Sequence, residues 1–145
     1  MLNFYPPSCY ISVSGTTGEI VWTVSVNAAI FSSPVFHNNN TIVFGCHDCH
    51  VYHVDRKSGA VRRKMAAASH PVFASLDTMA AAGRLLAANI AGHVTVWEDG
   101  GRTTPLAEIQ LGGHVFSSPL FLEPDRFVVG CRDNFLYCCR LDPLG

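Results

Sequence analysis

Apolar and polar residues alternate with a period of two along most of the chain, and short groups of turn-forming residues interrupt the alternation. This pattern is typical of β-strands that bury one face. Over residues 32–65 it predicts strands at 32–37, 41–46, 50–55 and 60–65, separated by turns of hairpin length. Because turns this short join antiparallel neighbours, the segment predicts a four-stranded antiparallel meander.

A repeat runs through the chain. The motif F-S-S-P-V-F at 31–36 returns as F-S-S-P-L-F at 116–121, and G-C-H-D at 45–48 returns as G-C-R-D at 130–133. Both pairs are 85 positions apart, and a weaker copy of the first motif, F-A-S at 73–75, lies midway between its two copies. The resulting period of 42 to 43 residues is typical of four-stranded β-propeller blades and exceeds that of ankyrin or tetratricopeptide repeats.

Applied to the whole chain, the repeat predicts an all-β fold made of four-stranded antiparallel blades of a WD40-like β-propeller. The predicted units are a partial blade at 1–29, full blades at 30–70 and 71–114, and a partial blade at 115–145. About three blades are present, fewer than the four to eight that close a propeller. We therefore expect an open arc that self-associates through its open sheet edges.

Two local features refine the strand assignment. Pro34 and Pro119 fall inside predicted first strands, and because proline cannot donate to a sheet ladder, these strands are predicted to be edges. The alanine-rich stretch 79–92 has the composition of a helix, but the repeat places residues 85–89 on a second strand. The glycines of this stretch would also weaken a helix, so we predict a strand there.

Composition narrows the classes of function. The chain has 145 residues, a formal net charge of −1, 14% charged residues and 48% hydrophobic residues. These values exclude a disordered chain and a charge-driven nucleic-acid binder, and no apolar run approaches the roughly 18 residues of a membrane span. The amino terminus lacks the pattern of a secretory signal, and six cysteines are too sparse for a disulfide scaffold. We expect a cytoplasmic protein that binds neither nucleic acid nor membrane.

The strongest metal-like pattern is Cys46-x-x-Cys49-His50. Thiolate and imidazole ligands suit Zn²⁺, and a Cys-x-x-Cys hairpin is half of many zinc sites. The sequence supplies no second half for the usual four ligands, and Cys46 aligns with Cys131 in the repeat, as two packed core thiols would. We expect no metal site. The alternative is a site in which Cys46, Cys49 and His50 are the ligands.

Cys49 has an unusual place in the repeat. It aligns with Gly92 and Asn134 at the second position of a tight hairpin turn, where a positive φ is expected. Glycine and asparagine accept that conformation readily, whereas cysteine does not. The repeat therefore predicts a locally unfavourable backbone at Cys49.

No catalytic or cofactor-binding residue is predicted. Asp48 and Asp133 directly precede equivalent turns, where a carboxylate accepts backbone N–H groups, so they are predicted to be turn caps rather than catalytic acids. No Ser/His/Asp or Cys/His arrangement is evident in the spacing. Trp22 and Trp97 are predicted to pack between adjacent blades, where large aromatic side chains fill the space between sheets.

Residues 12–22, S-V-S-G-T-T-G-E-I-V-W, resemble the pyrroloquinoline-quinone (PQQ) repeat signature A-x-D-x-x-T-G-x-x-x-W through Thr17, Gly18 and Trp22. In the next unit Asp55 and Gly59 match the signature. The resemblance raises the alternative of a quinone-dependent dehydrogenase, which would pair the cofactor with Ca²⁺ and with a disulfide between adjacent cysteines. The adjacent Cys138 and Cys139 fall within a predicted strand, where neighbouring side chains point to opposite faces, so we predict no such disulfide and no cofactor.

Together the two F-S-S-P motifs, G-C-H-D at 45–48 and G-C-R-D-N at 130–134 resemble the carboxy-terminal PQQ-repeat region of the acyl-CoA synthetase family, in its beta-alanine-activating branch. The resemblance implies a parent protein with an adenylation domain and a phosphopantetheine carrier domain, which loads an amino acid as a thioester using ATP. No P-loop, adenylate-binding loop or carrier serine motif is found in this sequence.

We therefore expect a non-catalytic scaffold that binds a protein partner or other domains of the same polypeptide. The surfaces predicted to make that contact are the loop tips at 37–40, 48–50, 123–125 and 133–135. A free-standing interaction propeller, unconnected with amino-acid activation, remains the second alternative.

Overall fold

The fold is described here from a computed structural model, which covers residues 8–98 and 103–142. The outer parts of the predicted partial blades, residues 1–7 and 143–145, lie outside the described residues. Thirteen β-strands and one short 3₁₀ turn are found in the described ranges, and every strand pairing among them is antiparallel. The all-β prediction is confirmed.

The strands form four sheets. Sheet I contains β1 (Ser8–Val13) and β2 (Ile20–Val26). Sheet II contains β3 (Val35–Asn38), β4 (Thr41–Gly45), β5 (His50–Asp55) and β6 (Val61–Ala66). Sheet III contains β7 (Asp77–Met79), β8 (Arg84–Ala88), β9 (His93–Glu98) and β10 (Ala107–Gln110). Sheet IV contains β11 (Leu120–Glu123), β12 (Arg126–Gly130) and β13 (Leu136–Arg140).

Each sheet is a meander in which neighbours in sequence are neighbours in space, as the hairpin-length turns predict. The stretch with helical composition forms β8, preceded by the 3₁₀ turn Ala80–Ala82. The strand predicted at 85–89 is therefore confirmed, with its start one residue earlier and its end at Ala88.

The first strands begin later than predicted. β3 starts at Val35 and β11 at Leu120, so Pro34 and Pro119 precede these strands rather than lying within them. Upstream of Pro34, the Ser32 hydroxyl accepts a hydrogen bond from the Gly45 N–H at 2.7 Å and donates one to the Gly45 carbonyl at 3.0 Å. A side chain thus takes the place of the backbone ladder, because proline has no N–H to extend it. Both strands are nevertheless edges of their sheets, as the prolines predicted.

The first strands of sheets II, III and IV lie side by side. β7 contacts both β3 and β11. The Thr78 hydroxyl donates to the Phe36 carbonyl at 2.8 Å, and the Phe121 N–H donates to the Asp77 carboxylate at 2.6 Å. These bonds join residues 42 and 44 positions apart, so the sheets follow one another at the spacing of the sequence repeat.

The hydrophobic core lies between the sheets. Three clusters of buried residues fill the three successive interfaces. Between sheets I and II they include Val24, Phe44, Tyr52 and Val54; between II and III, Val43, Val51, Met65, Leu85 and Trp97; between III and IV, Leu86, Val94, Phe121, Phe127 and Val129. The predicted position of Trp97 between two sheets is confirmed.

Trp22 links sheet I to the turn between β5 and β6 of sheet II. Its indole N–H donates to the Arg56 carbonyl at 2.9 Å. Gly59, whose φ is +72°, lies directly against the ring, and a Cβ atom there would approach the indole to 2.8 Å. Only glycine fits this contact, and the predicted inter-sheet role of Trp22 is confirmed.

Candidate interaction face

The turns that follow β4 and β12 share one design. The Asp48 carboxylate accepts hydrogen bonds from the His50 N–H at 3.2 Å, the Tyr52 hydroxyl at 2.5 Å and the Lys64 ammonium at 2.8 Å. At the equivalent turn in sheet IV, Asp133 accepts from the Phe135 N–H at 3.2 Å. Both aspartates cap their turns, as predicted.

Hydrogen bonding keeps these carboxylates ionised. Burial opposes ionisation of Asp48, but the hydrogen bonds from Lys64 and Tyr52 hold the pKa of its carboxyl below the usual value. At the other turn, the Tyr137 hydroxyl donates to Asp133 at 2.6 Å and lowers the pKa of that carboxyl. A general acid needs the opposite shift, because it must keep its proton near neutral pH.

The same turns carry the predicted backbone strain. Cys49, Gly92 and Asn134 have φ angles of +68°, +86° and +73°. The alignment of these three residues in the repeat is therefore confirmed as one recurring left-handed turn position. Cysteine is the poorest fit of the three, because its Cβ crowds the backbone in this conformation.

Cys46, Cys49 and His50 do not converge on one point, since each lies against a different backbone carbonyl group. The Cys46 thiol lies 3.6 Å from the carbonyls of both Ala28 and Ala29, whereas His50 Nδ1 lies 2.6 Å from the Asp48 carbonyl. Burial raises the pKa of the Cys46 thiol to about 11 and raises that of Cys49 as well, which disfavours the thiolate that a metal would bind. Among residues 8–98 and 103–142, no three metal-ligating side chains form a group.

Cys138 and Cys139 occupy consecutive positions of β13. Cys138 is exposed and pairs across the sheet with Val128, whereas Cys139 is partly buried and pairs with Phe127. Consecutive strand residues face opposite sides of a sheet. All six cysteines lie in the described residues, and all are free thiols.

A row of aromatic rings, exposed at its two ends, crosses one end of the sheets. We call Phe31, Phe73 and Phe116 the phenylalanine arc. The Phe31 and Phe73 rings stack with their centroids 4.8 Å apart, and the Phe73 and Phe116 rings meet edge to face at 5.6 Å. Phe31 is 55% exposed and Phe116 is 44% exposed, and Phe73 between them is half-buried. The arc therefore presents a continuous apolar surface to solvent.

Basic side chains flank the arc. His47 packs against Phe31 with centroids 4.7 Å apart, and His114 lies 6.3 Å from Phe116. The Arg132 guanidinium stands over the Phe116 ring at 5.6 Å, within cation–π range. Burial lowers the pKa of His47 and so disfavours a charge on its ring, whereas the Arg132 guanidinium is positively charged throughout the physiological pH range.

Backbone hydrogen bonds hold each member of the arc in place. The segment before the first strand of each sheet is bonded to the turn of that same sheet, from His47 N–H to the Ala29 carbonyl at 3.0 Å and from Arg132 N–H to the His114 carbonyl at 2.9 Å. A line of serines also links the sheets. Their hydrogen bonds run from Ser33 N–H to the Ser75 hydroxyl at 2.9 Å and from Ser75 N–H to the Ser118 hydroxyl at 3.2 Å.

The predicted loop tips divide between the two ends of the sheets. Residues 48–50 and 133–135 follow β4 and β12, at the end where β3, β7 and β11 begin, and so lie on the side of the arc. Residues 37–40 and 123–125 connect first to second strands and lie at the opposite end. The sequence carried a signal for the arc, since its members are the first residues of the F-S-S-P motifs and of their weaker copy. The recurrence of these phenylalanines indicates the repeat, but it does not indicate that their rings meet or are exposed.

Comparison with curated proteins relates the chain to one group of enzymes, although no protein-family model matches it. The beta-alanine-activating enzyme of Drosophila melanogaster is 32% identical over 147 residues, covering 83% of this chain and 14% of the enzyme. The human enzyme is 36% identical over 108 residues, covering 72% of this chain and 9% of the enzyme. The chain thus spans only a small part of the length of the curated relatives it matches.

The solved structures that superpose on this chain include two β-propellers. BamB from Moraxella catarrhalis superposes with a TM-score of 0.69 and 17% identity, covering 85% of this chain and 37% of BamB. The β-propeller domain of Cps50 (Swd1) from Myceliophteria thermophila superposes with a TM-score of 0.68 and 17% identity, covering 82% of this chain and 37% of that domain. At identities this low, a similarity establishes the fold alone. The two superpositions confirm the predicted propeller architecture.

The described residues include no helix long and apolar enough to span a membrane. The sequence similarity and the structural similarity each cover most of the chain. The chain is therefore related in sequence to a short segment of the beta-alanine-activating enzymes, and it is folded as part of a β-propeller.

Proposed function

We propose that this chain is the propeller segment of a protein like the beta-alanine-activating enzymes, and that it acts as a non-catalytic docking module in the cytoplasm. The parent protein would activate an amino acid with ATP and load it as a phosphopantetheine thioester. The sequence relationship supports this proposal, because it covers most of this chain but only 14% of the Drosophila enzyme. The predicted blade boundaries, after residues 29, 70 and 114, are part of the same proposal.

The phenylalanine arc is the observation that carries the docking role. Exposed apolar surface is unfavourable in water by about 25 cal/mol per Å², and aromatic residues and arginine are enriched where proteins bind one another. Phe31 and Phe116 are held in exposed positions by the bonded segments that precede β3 and β11. A fixed aromatic surface beside one arginine fits a protein partner that supplies apolar side chains and a carboxylate.

The chemistry of the polar groups supports a non-catalytic role. Asp48 and Asp133 use their carboxylates to cap turns, with their pKa values lowered. Cys46 and Cys49 have raised pKa values, so neither is an activated nucleophile near neutral pH. We propose that the catalytic groups of such a protein lie in its other domains.

We also propose that the repeats are of the PQQ type. The signature's Asp and Gly positions are filled by Asp55 and Gly59, and Asp55 accepts hydrogen bonds from the N–H groups of Lys57 and Ser58 at 3.0 and 2.9 Å. The tryptophan of the preceding unit, Trp22, packs on Gly59. This contact supplies a physical reason for glycine and tryptophan in the signature.

The docking role is tested by measuring binding of the purified chain to the adenylation and carrier domains of the Drosophila relative by biolayer interferometry. We expect Phe116→Ser, and separately Phe31→Ser, to weaken binding at least about tenfold. Phe36→Ser is the matched control, because Phe36 is also exposed but lies in β3, away from the arc. Absence of binding by the unmodified chain, or equal loss in all three variants, would contradict the proposal.

A further inference from the structure

Sheets II and III enclose four nitrogen-bearing side chains in the part of their interface that lies away from the phenylalanine arc. His37 of β3 and His53 of β5 are 3% and 6% exposed, and their rings meet edge to face with centroids 5.5 Å apart. Arg63 of β6 pairs with His53 across the sheet, and Trp97 of β9, which is 2% exposed, faces them from sheet III. Both sheets have four strands in the described residues, so this interface is complete on each side.

A small cavity lies between these four side chains. Its volume is about 10 Å³, and its lining also includes Met65, Gly83, Leu85 and Glu98. A cavity of this size holds a single species about as large as a water molecule. Phosphate, sulfate and carboxylate groups are therefore too large for it.

Two of the lining side chains bring hydrogen-bond donors for which the protein supplies no acceptor. Trp97 Nε1 and Arg63 Nη2 are both buried atoms, and neither has a hydrogen-bond partner among the described residues. An indole N–H and a guanidinium can only donate. Because a buried donor without an acceptor is unfavourable, both groups favour an occupant that accepts hydrogen bonds.

The charges around the cavity favour an anion. Arg63 is positively charged throughout the physiological pH range, and no carboxylate of the described residues forms an ion pair with it. Glu98 lines the cavity, but Arg84 balances its charge, since Nε and Nη2 of Arg84 each lie 3.3 Å from Oε1 of Glu98. Neutral or protonated, His37 and His53 each retain a ring N–H that can donate. The charge of Arg63 is therefore the one that remains to be balanced.

We propose that this cavity binds one halide ion, chloride under physiological conditions, held by the Trp97 indole N–H and the Arg63 guanidinium. A halide is monatomic, accepts hydrogen bonds without donating any, and neutralises Arg63. Water has a suitable size, but it also donates hydrogen bonds, and neither Trp97 nor Arg63 offers an acceptor. The bound ion ties β6 of sheet II to β9 of sheet III and stabilises their contact. The site lies away from the arc and is independent of the docking role proposed above.

The two tryptophans allow a direct test by proton–nitrogen NMR of the whole chain. The Trp22 indole N–H already donates to the Arg56 carbonyl at 2.9 Å, so its signal is an internal reference. Chloride replaces gluconate, an anion too large for the cavity, at a constant ionic strength of about 0.2 M. We expect the Trp97 indole signal to shift and to saturate as chloride rises, while the Trp22 signal stays fixed. Trp97→Phe, which lacks one of the two signals, assigns them.

Substitution of adjacent arginines tests the role of the charge. Arg63→Gln removes the positive charge from the cavity, and we expect the dissociation constant for chloride to rise at least about tenfold. Arg62→Gln is the matched control, because consecutive strand residues face opposite sides of a sheet and Arg62 pairs with Asp55 at 2.9 Å. Its dissociation constant is expected to be unchanged. Circular dichroism confirms that each variant remains folded.

Urea unfolding of the unmodified chain gives a second measurement that needs no variant. An ion that binds only the folded state raises its stability, so we expect the urea midpoint to be higher in chloride than in gluconate at equal ionic strength. If chloride moves neither the midpoint nor the Trp97 signal, the cavity holds water and the proposal is wrong. A chloride response that Arg63→Gln retains in full would place the ion elsewhere and overturn the proposal as well.

Discussion

Sheets II and IV carry two copies of one sequence unit, and they differ mainly in what covers them. Both have the serine that bonds to a strand-end glycine, Ser32 to Gly45 and Ser117 to Gly130. Sheet II has its fourth strand and lies between two other sheets, whereas sheet IV has three strands and one covered side in the described residues. The local geometry of a repeat is therefore set within the unit, whereas the burial of its side chains is set by the neighbouring sheets.

The aspartate turns depend both on bonds to the same hairpin and on a bond to the fourth strand of the sheet. Asp48 and Asp133 accept hydrogen bonds from equivalent tyrosines, four residues downstream in both cases. Asp48 has a further partner, Lys64, which belongs to the fourth strand β6. Sheet IV has no fourth strand in the described residues, so Asp133 lacks this ion pair there. The same turn is thus held by different numbers of bonds.

The largest difference between the sheets is expected at Val51 and Leu136. Val51→Ala removes fully buried methyl groups and leaves a cavity, so we expect the free energy of unfolding to fall by about 2 kcal/mol. Leu136→Ala changes an exposed side chain and should cost less than about 0.5 kcal/mol. Urea unfolding at low micromolar protein concentration measures both values. Equal losses would contradict the exposed position of Leu136, which is 74% exposed, whereas Val51 is fully buried.

A smaller difference is expected at the aspartate turns. Asp48→Asn weakens the bonds from Tyr52 and Lys64, and we expect the free energy of unfolding to fall by about 1.5 kcal/mol at pH 7. Asp133→Asn should cost less, because Lys64 has no counterpart in the described part of sheet IV. Urea unfolding of both variants measures the difference, and a larger loss in Asp133→Asn would contradict this account.

The pH dependence of stability tests the capping role of Asp48. The folded-state pKa of Asp48 lies below its unfolded value, so its contribution is complete above the unfolded pKa of about 3.9 and is lost as the pH falls through the folded pKa. Asp48→Asn should therefore reduce the loss of stability between pH 5 and pH 2. Urea titrations across that range provide the measurement, and an unchanged slope would argue against the capping role.

The smallest expected effects lie at the left-handed turn position. Cys49→Gly relieves the positive φ and should raise the free energy of unfolding by about 0.5 to 1 kcal/mol. Asn134→Gly should give a smaller gain, because asparagine already tolerates this conformation. Thermal unfolding with and without a chelator measures both. A loss of stability in Cys49→Gly together with chelator sensitivity would favour the metal-site alternative formed by Cys46, Cys49 and His50.

Much of the fold could be predicted from the sequence, because the copies of the repeat can be aligned with one another. Alignment of Cys49 with Gly92 and Asn134 predicted a positive φ at a residue that rarely adopts one, and the backbone has it. Alignment also placed residues 85–89 on a strand against their helical composition. The starts of β3 and β11 were missed, since the serine bonds that replace the ladder depend on a contact 13 residues along the chain.

The candidate site was less accessible. Phe31, Phe73 and Phe116 are separated by 42 and 43 residues, and the sequence shows only that they recur. Whether recurring phenylalanines are buried between sheets or exposed at their end depends on the direction in which each segment enters its sheet. His47 and Arg132 flank the arc for the same reason, because their turns lie at the end where the first strands begin.

The strands, the turns, the period of the repeat and the side chains that cap each turn could be predicted without the structure, because they depend on residues close along the chain. Which equivalent side chains are buried, and which form the phenylalanine arc, depends on contacts between sheets and is seen only in the folded molecule. Val51 and Leu136 are both apolar and hold the same place in the repeat, but only Val51 is buried. Burial is a property of the neighbouring sheet, and no residue within the unit encodes whether that neighbour is present.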